Sequence, residues 1–235
     1  MTQAKLSEGS KNVTANRHLA LIRAILRKAE REWGWLDRAP AIRMLPEAER
    51  RIRTMTADQA RGLIEALPEH MADLVTFPLS TGLRSANAAR ITWAQIDLER
   101  RFAWVFPDEA KARKAIPVPL NEAAMAVVVK QVGKHSDRVF TYRGKPLDRG
   151  STKSWYKALR DVGMKGFRYH DLRHVWASWH AQAGTPLFGL QEMAGWQSER
   201  MIRRYAHLAG EHLAPHAEKM GAIWSQSGKD GKVSD

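Results

Sequence analysis

The chain has no cysteine among its 235 residues. That absence excludes a disulfide framework, a thiolate zinc site, an iron–sulfur cluster and a cysteine nucleophile. Long apolar runs are missing too. The longest, Ala123 to Val129, falls far short of the roughly 20 residues that a bilayer-crossing helix needs. No apolar stretch of the kind that marks a secretory signal stands near the N-terminus. No carboxylate cluster offers the ligands of a metal-dependent nuclease. Negative charge is in short supply: 38 Lys and Arg against 25 Asp and Glu leave a net charge of +13. An excess of that size points to a polyanionic partner. What is present, 44% hydrophobic residues, suffices for a folded core. Composition therefore predicts a basic, cytoplasmic protein with no membrane partner, holding one large domain or slightly more.

Apolar residues recur at helical spacing from about Val13 to Trp35, with Leu19, Ile22, Leu26, Ala29 and Trp33 on one face. Residues 36–53 carry Pro40 and Pro46 among many charges and read as a linker. Thr56 followed by Gln59 is a capping box, which opens a helix and a second unit from about Thr54. Within that unit the spacing predicts helices over 56–67 and 70–80, a turn at Ser80-Thr81-Gly82, and another helix from Arg84. Three short strand-like stretches follow, at 93–96, 102–106 and 115–118. Pro117 and Pro119 assign the third to a sheet edge. Asn121 caps a helix to about Val132, and helices are expected over 151–162, 170–183, 186–194, 198–206 and 211–224. The fold class is α+β, mainly helical, with one small three-stranded antiparallel sheet.

Three stretches carry chemistry. In Ser80-Thr81-Gly82-Leu83-Arg84, an arginine follows a glycine turn at a helix start, where the dipole disfavours a cation and favours an anion. Arg84 is either a solvated surface residue or a phosphate ligand. In Tyr169-His170-Asp171-Leu172-Arg173-His174, His170 and Arg173 share a helix face, with His174 one turn from His170. Imidazole to trade protons and guanidinium to grip oxygens suit phosphoryl chemistry. A zinc pair at His170 and His174 lacks a third ligand of convincing spacing. The third stretch joins Met193-Ala194-Gly195-Trp196 to Ile202-Arg203-Arg204-Tyr205-Ala206-His207. Basic neighbours around Tyr205 are expected to favour its phenolate.

In order and spacing, these stretches resemble the catalytic domain of the tyrosine recombinase (phage integrase) family, from Thr56 to Leu213. TGLR at 81–84 resembles the box of the first catalytic arginine, Arg84. KARKAIPVPL at 111–120 is similar to the hairpin carrying a catalytic lysine, which makes Lys111 the candidate; Arg113 and Lys114 share its turn. HDLRH at 170–174 matches the His-x-x-Arg box, with His170 and Arg173. AGW at 194–196 gives Trp196, and RYAHL at 204–208 gives the nucleophile, Tyr205. Asn87 departs from a position that is usually acidic in the family. It keeps hydrogen-bonding capacity without the charge.

The resemblance implies the DNA breaking–rejoining fold and a site-specific recombinase acting through a 3′-phosphotyrosyl intermediate, without metal, ATP or other cofactor. The tyrosine attacks, the arginines hold the phosphate, Lys111 protonates the leaving oxygen, and His170 handles the tyrosine's proton. Double-stranded DNA is the implied partner, with a homo-tetramer assembling on it. Lys114, Arg143, Lys145, Arg149 and Lys153 are candidate DNA contacts, the last four in a basic loop before a helix. Residues 1–53 resemble the last helix and linker of an upstream core-binding domain, and 54–235 the catalytic domain. The chain is then either a piece of a longer protein or a natural short form. Two other readings stand beside this one: an integrase-like DNA-binding module without recombination activity, and a type IB topoisomerase-like strand transferase.

Overall fold

A computed structural model describes residues 11–47, 52–109, 114–208 and 217–219. The chain divides into two compact units, Met1–Arg51 and Ile52–Asp235.

In the first unit, helix α1 spans Asn12–Arg31. It stops four residues before the predicted end, and Trp33 and Trp35 fold over each other beyond it with ring centroids 4.6 Å apart. Asn16 is buried. Its amide donates to the Leu45 carbonyl (2.9 Å) and to Glu47 Oε1 (2.7 Å), and its Oδ1 accepts from the Leu45 N–H (2.8 Å). One side chain thus clasps a segment that has no regular structure of its own.

The second unit holds α2 (Ala57–Glu65), α3 (Glu69–Thr81), α4 (Ser85–Arg90), α5 (Glu122–Val129), α6 (Lys153–Asp161), α7 (Asp171–Gln182), α8 (Leu187–Ala194) and α9 (Glu199–Ala206). Both halves of the Thr56–Gln59 capping box form, and Asn121 caps α5 through the Ala124 N–H, as their side chains require. Strands β1 (Ile96–Asp97), β2 (Phe102–Val105) and β3 (Ile116–Pro119) make an antiparallel sheet in the order β1-β2-β3. Trp104 faces Pro117 and Phe102 faces Pro119, so both prolines point outward on an edge strand, where a missing N–H costs no ladder bond. The predicted first strand begins later than expected. Trp93–Gln95 closes a 3₁₀ turn because Thr92 and Gln95 form a second capping box. Gln95 then donates to the Trp104 carbonyl (3.1 Å) and to Glu109 (2.6 Å), clipping the end of β2 to this turn.

A second correction concerns Arg143 and Lys145. They stand in a two-stranded hairpin, β4 (Thr141–Tyr142) and β5 (Lys145–Pro146), rather than in an open loop. Arg143 and Gly144 turn it at φ of 51° and 74°. The hairpin is held to α3 by His70, whose ring stacks on Tyr142 at 4.0 Å.

The core has two parts. Met71, Leu74 and Phe77 of α3 pack with Val128, Trp155, Leu172 and Val175 in the larger one. Trp176, Ala177, Ala181, Leu190, Trp196, Ile202 and Tyr205 form the smaller. Helix α7 contributes to both clusters, which gives its side chains unusually little freedom. Among the described residues, no helix is long and apolar enough to cross a membrane.

Candidate active site

Two glycine turns build the site. Gly82 ends α3 in the left-handed conformation (φ 66°), and a Cβ there would meet the Trp176 ring at 2.3 Å. Only glycine fits such a turn against an indole. Gly195 ends α8 the same way (φ 58°), with Ile116 of β3 at 2.3 Å from a built Cβ. Each turn leaves a carbonyl facing Arg173. Its Nη1 donates to the Gly82 carbonyl (2.5 Å) and its Nη2 to the Ala194 carbonyl. The guanidinium therefore ties the TGLR and AGW boxes together, a geometry that a lysine's single ammonium cannot reproduce.

A further tie sets the start of α7. Pro78 lies inside α3 and has no N–H, so the Leu74 carbonyl has no helical partner from it. The buried Tyr169 hydroxyl donates to that carbonyl at 2.6 Å. Asp171, also buried, accepts from the Arg168 backbone (2.9 Å) and from its guanidinium (2.6 Å). Burial pushes the Asp171 carboxyl up, but the Arg168 bonds outweigh it and hold it below the usual range. Residues on either side of His170 are thus fixed, and so is His170 at the helix cap.

Arg173 is 6% exposed and forms no ion pair among the described residues. Burial first, then the Arg84 charge, lower its pKa to about 10, while Tyr205 opposes the shift. It stays a cation at neutral pH. Arg84, half-buried, follows the Gly82 turn at the cap of α4 and is likewise unpaired; burial lowers its pKa. Two desolvated guanidinium groups with no carboxylate between them are costly unless an anion joins them. Asn87 makes no side-chain hydrogen bond among the described residues, so the bonding expected from it is not seen.

Tyr205 is fully buried. Its ring stacks on Trp196 with centroids 5.4 Å apart and planes 7° from parallel, and the Arg173 guanidinium lies 5.3 Å from the Trp196 ring. The Tyr205 hydroxyl hydrogen-bonds His174 Nδ1. This differs from the expected pairing with His170, whose Nδ1 instead meets Ser85 Oγ at 3.3 Å. The reason is position along the helix, since the two residues share a face but lie one turn apart. Residue 174 leaves α7 toward the smaller core that holds α9, whereas residue 170 sits at the cap beside α4. The expectation of phenolate character also fails. Burial pushes the Tyr205 pKa up to about 12, and the charges of Arg173 and Arg204 only partly offset it. Adjacent residues in sequence point elsewhere on a helix: Arg203 pairs with Glu199 on the exposed face.

Arg84, His170, Arg173, Trp196 and Tyr205 are thus linked by contacts or mutual electrostatics. Lys111 lies outside the described residues. Lys114, Arg143, Lys145, Arg149 and Lys153 are all exposed. The Arg149–Lys153 segment borders the site, since a Cβ at Gly150 would strike the Tyr169 ring at 1.9 Å. His174 and Ser85 were not selected from sequence, although His174 stood in the same box. Tyr156, Lys157 and Arg160 extend the exposed face of α6 beyond Lys153 at spacings of three, four and seven. No group of three or more His, Cys, Asp or Glu residues that could hold a metal occurs among the described residues.

A helical unit with a small sheet thus brings two arginines, without an ion pair among the described residues, to a buried tyrosine. The phage integrase family model matches residues 53–212, and the chain belongs to that family. It is 44% identical to the integrase of Salmonella phage P22 over 223 residues, covering 89% of this chain and 58% of that protein. It is 25% identical to a shufflon-specific DNA recombinase of Escherichia coli over 206 residues, covering 85% of this chain and 52% of that protein. The chain therefore spans a little over half the length of these relatives. Its fold matches the Tn1549 transposon integrase in complex with circular intermediate DNA at a TM-score of 0.78, with 17% identity over 93% of this chain and 82% of that one. It also matches a lambda integrase dimer bound to a core site at 0.69, with 19% identity over 87% and 76%.

Proposed function

We propose that the chain cleaves and rejoins double-stranded DNA as a site-specific recombinase, with Tyr205 as nucleophile. The observation that carries this reading is the desolvated Arg84–Arg173 pair, which has no anionic partner among the described residues and lies beside a buried tyrosine. A backbone phosphate supplies the missing charge. The guanidinium groups bind its non-bridging oxygens, and their donors strengthen as charge develops in the transition state.

The Tyr205 oxygen attacks phosphorus, its phenolic proton passes to solvent, and a Tyr–O–P bond forms. The P–O5′ bond breaks, leaving a 3′-phosphotyrosyl linkage and a 5′-oxygen that takes a proton from Lys111. A 5′-hydroxyl from a second strand reverses the step. One phosphodiester replaces another, so the cycle requires neither ATP nor a metal. His170, oriented by Ser85, donates to a phosphate oxygen, and the Trp196 indole N–H adds a further donor. Lys114, Arg143, Lys145, Arg149 and Lys153 contact the DNA backbone, and residues 54–235 act as the catalytic domain. Residues 1–53 form the end of a core-binding domain. Assembly as a tetramer on DNA, in the cytoplasm, completes the reading. Support for the DNA partner comes from the structural relatives solved with DNA.

A nicked suicide duplex incubated with the chain in EDTA is expected to give an SDS-resistant protein–DNA adduct. Tyr205→Phe abolishes the adduct while leaving DNA binding. An adduct that persists in that variant sinks the assignment. The full burial of Tyr205 favours one alternative, a DNA-binding module with no independent cleavage; binding without adduct in every condition would select it.

A further inference from the structure

We infer that the His174 imidazole is a positioning residue for the nucleophile, accepting the phenol's hydrogen bond and so fixing the attacking oxygen within the arginine site. This rests on the assignment of Tyr205 just made. Arg173 and His174 are consecutive residues of α7, so the group that grips the phosphate and the group that holds the tyrosine leave one rigid turn. Arg173 is in turn anchored to both glycine turns. An error in the placement of Tyr205 relative to Arg173 is therefore limited mainly by the His174 bond and the Trp196 stack.

The two restraints are complementary. Stacking on Trp196 fixes the plane of the phenol ring, with planes only 7° apart. A stacked ring still slides within its plane, and the stack says little about where the oxygen ends. The bond to His174 Nδ1 removes that freedom. The His174 ring itself is braced. His170 meets it edge-on, with centroids 5.7 Å apart and planes at 86°. His170 cannot substitute, since its Nδ1 is turned to Ser85 Oγ.

For Nδ1 to accept, His174 must be neutral with its proton on Nε2. The surroundings secure the neutral form. Burial first, then the charges of His170, Arg168 and Arg173, lower the His174 pKa to about 4, against an opposing pull from Asp171. The Tyr205 phenol across the bond is pushed up to about 12. An imidazole this weakly basic does not take the phenol's proton at rest. It holds the oxygen without charging it, at every pH where the DNA reaction would be run.

Two variants of the full chain test this. His174→Phe keeps the aromatic ring and deletes the acceptor. His174→Asn places a carbonyl oxygen near the former Nδ1 but cannot act as a base. The substrate is a pool of nicked duplexes with randomised sequence, and the readout is the rate of Tyr205-dependent adduct formation. His174→Phe is expected to react about 10- to 100-fold more slowly at equal DNA occupancy, the scale of a misplaced reacting group. His174→Asn is expected to recover most of that loss. In the DNA-free chain, the ¹³C resonance of the Tyr205 Cζ should move in His174→Phe and return in His174→Asn. A His174→Phe rate equal to or above wild type would overturn the inference, since the bond would then merely restrain the tyrosine. So would an Asn variant no better than Phe. Failure of the wider reading is distinct: the wild-type chain itself would then form no Tyr205-dependent adduct, and the inference would fall with it.

Discussion

The arginine–tyrosine site and the exposed basic surface contain the same residue types held in opposite ways. Arg173 is buried, spends two donors on turn carbonyls and has no counter-ion among the described residues. Arg143, Lys145, Arg149 and Lys153 stand in water on a short hairpin, a loop and the first turn of a helix. Charge at the first place is costly and geometrically fixed, which in the proposed reaction suits it to a single phosphate. Charge at the second is cheap to solvate, and in the proposed complex it would add affinity without much direction. The +13 balance of the chain conflates these two roles, and burial separates them.

The sharpest way to break this contrast is to replace Arg173 by lysine. One ammonium cannot bridge the Gly82 and Ala194 carbonyls and still reach a phosphate. Arg173→Lys should cut the adduct rate by about 10³-fold, by analogy with arginines in other phosphoryl transfers, with DNA retention in a gel unchanged. A loss of tenfold or less would mean that the guanidinium's fork is not needed.

Next comes the turn that aims Arg173. Gly82→Ala forces a Cβ into the Trp176 ring at a positive φ. Strain and overpacking together should cost about 2–5 kcal/mol in chemical denaturation. A near-neutral result would show that α7 can move away from the turn.

The site also carries a pH signature. Burial above all lowers the pKa of both His170 and His174 below the unfolded value of 6.5. For His174, with its pKa at about 4, the unfolded chain binds more protons between about pH 6.5 and 4, so stability is complete above that window and is lost as pH falls through it; His170 acts in the same direction. Tyr205 works at the other end. Its raised pKa gives stability that is complete below pH 10 and is lost as pH rises toward 12. Thermal melts across pH should show both limbs, with the acid limb shallower in His174→Asn and the alkaline limb shallower in Tyr205→Phe.

Smallest of all should be the effect of single surface charges. Arg149→Ala or Lys153→Ala should reduce the slope of log affinity against log salt by about 0.9 each, with the cleavage rate of bound DNA unchanged. A change in that rate would move these residues from the periphery into the site.

Much of the fold was legible because local chemistry dictated it. The Thr56–Gln59 box, the Asn121 cap and the outward prolines of β3 each follow from one residue's hydrogen-bonding capacity. The turn before Arg84 has a local reason too, since Gly82 supplies the left-handed residue that ends α3, whereas the tyrosine box was named only through the resemblance to a family. Other features depend on partners distant in sequence. Two-residue strands such as Thr141–Tyr142 are too short to show alternation. The Tyr169 hydroxyl answers a carbonyl left free by a proline 91 positions earlier, Pro78, and no local pattern announces it. The acidity of Tyr205 was misjudged because its sequence neighbours are basic, whereas its spatial neighbours are an indole, an imidazole and the rest of a small core.

The central claim is that Tyr205 forms the covalent bond to DNA. The direct measurement is peptide mass spectrometry of the adduct trapped on a nicked duplex, together with chemical analysis of the DNA ends. The account predicts a nucleotide joined through its 3′-phosphate to Tyr205, and a free 5′-hydroxyl on the released strand. Attachment at another residue, or cleavage that leaves both ends free of protein, would contradict it.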